Sequence, residues 1–476
     1  MLNAFFVERF FLHLHIFILI IKRMNSKLTL DKYQQQAILA KGNILLIAGA
    51  GAGKTFTITH KIAHLIKNES YNAEEILVIS FTNKSVDDLK KKIPYNCSIL
   101  TFHKLAIQIL HDHHITFNLV SDTYLDYITK EFFLSLDDPK LISEILLYFK
   151  VTDYQTFLKT TKYIELKKLL LTLLRLYKTN NCNYTDFTKI YHTNTFISKF
   201  FYIIKTIYEQ ELKSTNSYDF DDLIIKATDT LKTFYRYKYI IVDEFQDTST
   251  IRFNLINKLR ILNNAYLFAV GDDYQSIYHF SGCNLNTFLD FTKIVPNSKI
   301  LKLKYTYRNS QELIDIATKF ILRNQRQVKK DLLSPKHIKN PIVFIYYLNP
   351  KKSFKKLYEE VKKIDDDILV LGRNNKDIKE FTQDKNINYL TVHSAKGLEA
   401  ENVILINMYN KTYGFPNKVQ NSKLLELLHP SDKNILFAEE RRLFYVALTR
   451  TKNKVYIMVP IFNKSCFVKE LKKMIK

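Results

Sequence analysis

The chain has 476 residues, with 71 Lys+Arg against 47 Asp+Glu, a formal net charge of +24 and a pI near 9.5. A 46% hydrophobic share supplies ample core material, and at roughly 100 to 200 residues per domain the length corresponds to about two to four domains, which excludes disordered and collagen-like classes. The positive excess points to a polyanionic partner, nucleic acid or an anionic membrane surface, although about an even share of it is what A+T-rich coding, with its many Lys, Asn, Ile, Tyr and Phe, would produce. Cys97, Cys182, Cys283 and Cys466 are widely spaced and form no C-x-x-C pair. Neither a disulfide framework nor a structural zinc site is indicated, and a reducing intracellular compartment is expected.

At the N-terminus, Phe10–Ile21 is an apolar run of 12 residues between charged flanks. It is short of the ~20 residues that span a bilayer and has no small-residue cleavage site. Residues 1–24 are therefore read as an extension foreign to the fold, with Met24 the expected start and a membrane-associated tail the alternative. Globular periodicity follows. Asn43–Ala48, Ile76–Ser80, Tyr239–Val242, Ala265–Val270, Asp367–Gly372, Val403–Asn407 and Lys454–Met458 are short and apolar on both faces, as central parallel strands covered by helices require. From Phe102 to Ser217 the text has helical spacing with almost no Gly or Pro, which predicts an all-α insertion, and a break near residues 300–340 separates two α/β units.

Two motifs carry the chemistry. Ala48, Gly49, Ala50, Gly51, Ala52, Gly53, Lys54 and Thr55 (AGAGAGKT) join a predicted strand to a predicted helix. Small residues let successive backbone N–H groups face an anion, Lys54 can neutralise β and γ phosphates, and the Thr55 hydroxyl can ligate Mg²⁺. The second motif, Tyr239–Asp247 (YIIVDEFQD), is an apolar strand ending in adjacent carboxylates, with Asp243 placed to hold Mg²⁺ and Glu244 to polarise an attacking water. Together they predict nucleoside triphosphate hydrolysis.

With these motifs in place, the chain from about Leu28 to Val459 resembles the UvrD/Rep-type superfamily 1A helicases. Leu30–Ala37 is similar to the Q motif, which makes Gln34 the adenine reader. Ser80–Ser85 (SFTNKS, holding Phe81, Thr82 and Asn83) and Thr101–Ala106 (TFHKLA, holding His103) resemble the two motifs that lie on single-stranded DNA. Tyr218–Leu223 resembles the short acidic motif before the DE pair. In Val270–Gly282 the resemblance implies that Gln275 senses the γ phosphate and that Tyr278 and Phe280 face bases. In Tyr305–Ser310 it places Tyr307 near adenine and Arg308 on the γ phosphate. Thr391–Glu399 supplies His393 toward DNA and Glu399 toward ATP, and Glu439–Arg450 ends in Arg450 as an arginine finger.

The resemblance implies two RecA-like domains: a first at 25–101 and 218–300, interrupted by a helical 1B insertion at 102–217, and a second at 301–476. It further implies ATP and Mg²⁺ as cofactors, single-stranded DNA and single/double-strand junctions as partners, a cytoplasmic or nucleoid setting, and 3′ to 5′ movement. Three departures stand out. Phe280-Ser281 replaces the family's Trp-Arg, Phe56 replaces the Arg after GKT, and only the 19 residues Asn374–Val392 stand where the family carries its 2B domain. That is below the ~50 residues of the smallest ordinary domains, so 2B is expected to be essentially absent. The competing expectations are a translocase that strips proteins from single strands without processive unwinding, and a catalytically dead nucleic-acid scaffold. His103 and His393 are each read either as DNA contacts or as satisfied interior histidines.

Overall fold

The computed structural model describes residues 30–419, 422–428 and 435–475; the run Phe10–Ile21 and the start at Met24 lie outside them. In chain order the strands are β1 (Asn43–Ala48), β2 (Ile76–Ile79), β3 (Ser98–Leu100), β4 (Asn118–Leu119), β5 (Ser217–Tyr218), β6 (Tyr239–Val242), β7 (Tyr266–Gly271), β8 (Ser298–Leu303), β9 (Ile342–Tyr347), β10 (Ile368–Gly372), β11 (Tyr389–Thr391), β12 (Ala400–Leu405) and β13 (Thr451–Pro460). They form a six-stranded sheet in the order β3-β2-β6-β7-β1-β8, a five-stranded sheet in the order β11-β10-β12-β13-β9, and the small pair β4-β5. Every pairing between these strands is parallel. Parallel strands need crossovers, and helices supply them on both sheet faces, which gives the α/β class and two RecA-like lobes.

The period of two along a strand explains the layers. On β1, Leu45 and Ile47 join Leu77, Ile79, Ile240 and Val242 beneath the helices Phe102–Asp112, Phe220–Thr230 and Thr250–Leu262. Ile44 and Leu46 face the other way, with Val78, Ile241 and Phe268, toward the helices Lys32–Leu39, Lys54–Asn68 and Asn83–Lys92. The second sheet repeats the scheme. Leu369, Leu371, Val403 and Ile457 pack under the helices Gln311–Ile321, Ala438–Leu448 and Cys466–Ile475, while Val370, Ile404 and Met458 meet the helix Pro350–Lys362.

A separate helical body is built on the helices Thr161–Thr179 and Thr195–Ser214, whose Leu166, Leu170, Leu173 and Leu174, with Phe200, Phe201 and Ile204, form one apolar stripe at helical spacing. Two placements differ from the predicted boundaries. The helix Phe102–Asp112, assigned by sequence to the insertion, buries Phe102, Leu105 and Ile109 against the first sheet, and the helical core proper starts with Leu125. β8 extends the first sheet to Leu303, past the predicted end at 300. Lys178 pins the helical body to the first lobe through Asp219 (2.5 Å) and Asp222 (2.7 Å). The short helix Lys423–Leu428, which follows β12 in the chain, buries Leu424 and Leu428 in the helical body's core, where Asn180 Nδ2 donates to the Leu428 carbonyl at 3.1 Å. Between β10 and β11 the chain runs through a single 3₁₀ turn, Asp377–Glu380.

Candidate nucleotide and nucleic-acid site

β1 delivers the phosphate loop. After Ala48 the backbone turns through Gly51 (φ 71°) and Gly53 (φ 77°), left-handed conformations that favour glycine, and Lys54 opens the next helix. A Cβ on Gly51 would collide with Arg308, and one on Gly53 would come within 2.8 Å of Gln34 Nε2, so these positions also admit neighbours. Thr306 Oγ1 donates to the Ala50 carbonyl at 2.7 Å and the Tyr307 N–H to the Gly51 carbonyl at 3.0 Å.

Gln34 is held twice. Its Oε1 accepts the Asp31 N–H at 3.1 Å in a capping box that starts the helix Lys32–Leu39, and its Nε2 reaches the Ala52 carbonyl at 3.5 Å. The half-exposed Tyr307 donates its hydroxyl to Asp31 at 2.9 Å, and Phe56 packs on His60 with ring centroids 4.1 Å apart. The structure thus brings Gln34 and Tyr307 to one rim of the loop, with Phe56 on the first turn of its helix.

At the tip of β6, Lys54 Nζ meets Glu244 Oε1 at 2.6 Å. Burial would lower the Lys54 ammonium, but Glu244, Asp243 and Asp272 outweigh it and hold the pKa above the ordinary lysine value. The two acidic neighbours are pushed apart. Burial, with Glu244 adjacent, raises the Asp243 carboxyl; burial would also raise Glu244, yet Lys54 and Lys396 hold it low. Asp243 accepts the Glu244 N–H at 2.9 Å and has no salt bridge among the described residues. A buried carboxyl without a paired cation, together with the Thr55 hydroxyl on the first turn of the loop helix, fits a hard divalent cation that keeps most of its waters.

The far wall carries the arginines. Arg308 Nε contacts Glu399 Oε2 at 2.7 Å, so the predicted ATP contact Glu399 is engaged with Arg308. Arg450, 1% exposed, donates Nε to the Val446 carbonyl (3.1 Å), Nη1 to the Leu398 carbonyl (3.2 Å) and Nη2 to Gln275 Oε1 (3.0 Å). Burial, aided by nearby Arg308, pushes its guanidinium down to about 9. One chain of contacts then crosses the site. Lys54 donates to Glu244, Gln246 Nε2 to Glu244 Oε2 (2.5 Å), the Asp272 N–H to Gln246 Oε1 (2.9 Å), Gln275 Nε2 to Asp272 Oδ2 (2.5 Å), and Arg450 to Gln275.

Beside the nucleotide site lie the predicted DNA contacts. The rings of Phe81 and Tyr278 are parallel within 3° with centroids 6.3 Å apart, flanked by Arg252 at 4.6 Å from Phe81 and Lys396 at 4.9 Å from Tyr278. Phe280, 61% exposed, and His393, 5.5 Å from it edge to face, line a cleft of about 1880 Å³ between the lobes and the helical body. Arg373, Lys376 and Lys423 share that cleft with acidic Asp377, Glu439 and Glu440, and Arg373 is bound to Glu440 through two nitrogens (2.9 and 2.7 Å). Burial pushes His393 down to about 4, with Arg373 and Lys396 contributing, so it is neutral at pH 7.

Two predicted contacts sit differently. His103 Nε2 is buried without a hydrogen-bond partner and the ring lies 4.9 Å from Phe220; burial and Arg252 push it down to about 4, so it is neutral at pH 7. Thr82 spends its hydroxyl as the N-cap of the helix Asn83–Lys92, accepting the Ser85 N–H at 3.1 Å, while Asn83 is exposed on its first turn. Sequence reasoning missed Arg252, Gln246 and the bridging role of Lys396, which pairs with Asp247 and donates to the Gln275 carbonyl at 2.7 Å. The only signal for Lys396 was its place inside TVHSAKGLE; Arg252 had none.

Fold and site together define a RecA-like P-loop protein in which arginines from a second lobe face the phosphate loop of the first. Residues 30–296 match the UvrD/REP helicase N-terminal domain and residues 375–460 the UvrD-like helicase C-terminal domain. The first match alone covers more than half of the sequence, and the chain belongs to the UvrD/REP helicase family. It is similar to DNA helicase IV of Escherichia coli (strain K12), 27% identical over 479 residues, covering 93% of this chain and 70% of the relative. It is also similar to the ATP-dependent DNA helicase PcrA of Leuconostoc citreum (30% identical, 63% of this chain, 40% of the relative) and to the ATP-dependent DNA helicase Rep of Buchnera aphidicola subsp. Schizaphis graminum (30%, 70% and 50%). The chain therefore spans half or less of the length of these last two relatives.

Proposed function

We propose that the protein is an ATP-dependent DNA helicase or translocase that moves 3′ to 5′ on single-stranded DNA in the cytoplasm or nucleoid, engages single/double-strand junctions, and hydrolyses ATP between its two lobes. The observation that carries the reading is the chain of contacts from Lys54 through Glu244, Gln246, Asp272 and Gln275 to Arg450, with Lys396 tying the Gln275 carbonyl to the face of Tyr278. A triphosphate entering the loop draws Lys54 away from Glu244, and the released carboxylate orients and deprotonates the attacking water. Arg308 and Arg450 meet the charge that spreads over the transferring phosphoryl oxygens, and Gln275 reports its presence. Mg²⁺, held by Thr55 and Asp243, would neutralise phosphate charge. Gln34, Phe56 and Tyr307 flank the base.

Movement follows from the same contacts. Closure of the lobes on ATP shifts Lys396 and Gln275 together, and with them the aromatic faces of Tyr278, Phe81 and Phe280, on which bases stack with about 1 to 3 kcal/mol each and without sequence preference. The 3′ to 5′ direction is supported by family membership. Unwinding of duplexes bearing a 3′ or a 5′ single-stranded tail tests it: the 3′-tailed duplex is opened, and a preference for the 5′ tail would overturn the polarity. Lys54→Ala is expected to abolish turnover in either case while single-stranded DNA binding persists.

A second reading, a translocase that displaces bound proteins without processive unwinding, is favoured by the single 3₁₀ turn between β10 and β11 where the family carries its 2B domain. Displacement of streptavidin from a 5′-biotinylated strand without opening of a tailed duplex would select it.

A further inference from the structure

Lys330 belongs to none of the motifs, yet it is the most enclosed cation on the segment joining β8 to β9, 4% exposed. Its ammonium pairs with Asp272 and, at 2.7 Å, with Asp273, and lies 3.6 Å from the centroid of the Tyr274 ring. The same segment donates Gln327 Nε2 (3.2 Å) and the Val328 N–H (2.8 Å) to Asp273 Oδ2. Asp272 and Asp273 are fully buried. Enclosing one cation and two carboxylates in a core carries a desolvation cost that apolar side chains of the same volume would avoid. The arrangement stands where it has a chemical use, because the second oxygen of Asp272 accepts Gln275 Nε2 and its N–H holds Gln246.

We infer that Lys330 is a positioning residue for ATP hydrolysis: by pairing with one oxygen of Asp272 it holds that carboxylate in place, so that the other oxygen accepts Gln275 Nε2 and Oε1 of the same amide faces Arg450. Without the ammonium the Asp272 side chain is free to turn, and the Gln275 amide loses the acceptor that sets its Oε1 toward Arg450. Lys330 touches neither phosphate nor water in this scheme; it acts through Asp272 alone. The inference rests on the site being an ATPase.

The test is steady-state phosphate release by the full chain at saturating oligo-dT for wild type, Lys330→Met, Lys330→Arg, Gln275→Ala and Lys330→Met/Gln275→Ala. Lys330→Met is expected to lower kcat about 10- to 100-fold, as loss of a supporting contact typically does, with KM for ATP and DNA affinity little changed. Lys330→Arg recovers part of the loss. The double variant is no slower than Gln275→Ala, because both changes break one link. Should Lys330→Met fail to fold, Lys330→Met/Asp273→Asn removes the excess buried charge and is expected to show the same loss of kcat. An active wild type with undiminished kcat in the folded Met variant, or effects that multiply in the double variant, overturns the role of Lys330. A wild type without hydrolysis overturns the ATPase reading itself, and the inference with it.

Discussion

Arg450→Ala separates chemistry from scaffolding. The side chain is 1% exposed and donates three hydrogen bonds, to the carbonyls of Val446 and Leu398 and to Gln275 Oε1. Each bond from a charged donor is worth about 1.5 to 3 kcal/mol, but a guanidinium whose pKa burial depresses also sheds its desolvation cost when removed, so a net loss of about 2 to 4 kcal/mol is expected. A chain with two sheet cores and a helical core should tolerate that. The effect on chemistry is much larger, since an arginine that meets transition-state charge is worth about a thousandfold or more in kcat. Phosphate release at saturating ATP and single-stranded DNA gives kcat, and far-UV circular dichroism with a thermal melt reports the fold. Arg450→Lys, which retains charge but reaches fewer of the three acceptors, should fall between wild type and Arg450→Ala. A folded Arg450→Ala enzyme with kcat within about tenfold of wild type would refute catalysis by the second-lobe arginine.

Three further outcomes are expected. Phe280→Ala removes a ring that is 61% exposed, so the melt should barely move, while affinity for oligo-dT by fluorescence anisotropy drops about 5- to 150-fold, the equivalent of one stacked base; unchanged affinity would take Phe280 off the DNA track. Asp243, pushed up to about 6 by burial and Glu244, carries a proton at lower pH and cannot then hold a divalent cation; kcat/KM for ATP at limiting Mg²⁺ should fall as pH drops below that value, and excess Mg²⁺ should move the fall to lower pH. A profile flat from pH 5 to 7 would contradict this. Leu424→Ala, at a side chain buried in the helical body's core, should speed amide exchange across Lys423–Leu428; unaltered exchange would mean that this docking contributes nothing.

Central elements of the fold were legible and peripheral ones were not. The predicted strands correspond to β1, β2, β6, β7, β10, β12 and β13, all of them interior strands of the two large sheets. Apolar side chains on both faces announce such strands. Of the strands not predicted, β3, β8, β9 and β11 are the four edges of the two large sheets, and β4 and β5 form the small two-residue pair. β8 reads SKILKL, with three of its six residues exposed, and β11 is three residues of intermediate burial, so neither carries a two-faced apolar run. The start of the helical insertion was misplaced because Phe102, Leu105 and Ile109 have the same spacing whether a helix packs on a sheet or on other helices.

At the site, candidates that supply a charge or a turn within a short motif were legible, and the fold brings Lys54, Asp243, Glu244, Gln275, Arg308 and Arg450 together. Residues that act by burial were not. Lys330, Gln246 and Arg252 gain their meaning from partners 58, 26 and 171 positions away respectively, a separation over which no periodicity in the sequence extends. His103 shows the converse: a motif position suggested a DNA contact, and only the fold shows its ring against Phe220.

ATP hydrolysis measured with and without single-stranded DNA tests the motor most directly. The contact chain from Lys54 to Arg450, tied through Lys396 to Tyr278, predicts slow turnover alone, a severalfold rise on adding oligo-dT, and loss of both in Lys54→Ala. Hydrolysis that is absent, or that proceeds at the same rate whether or not DNA is present, would contradict it.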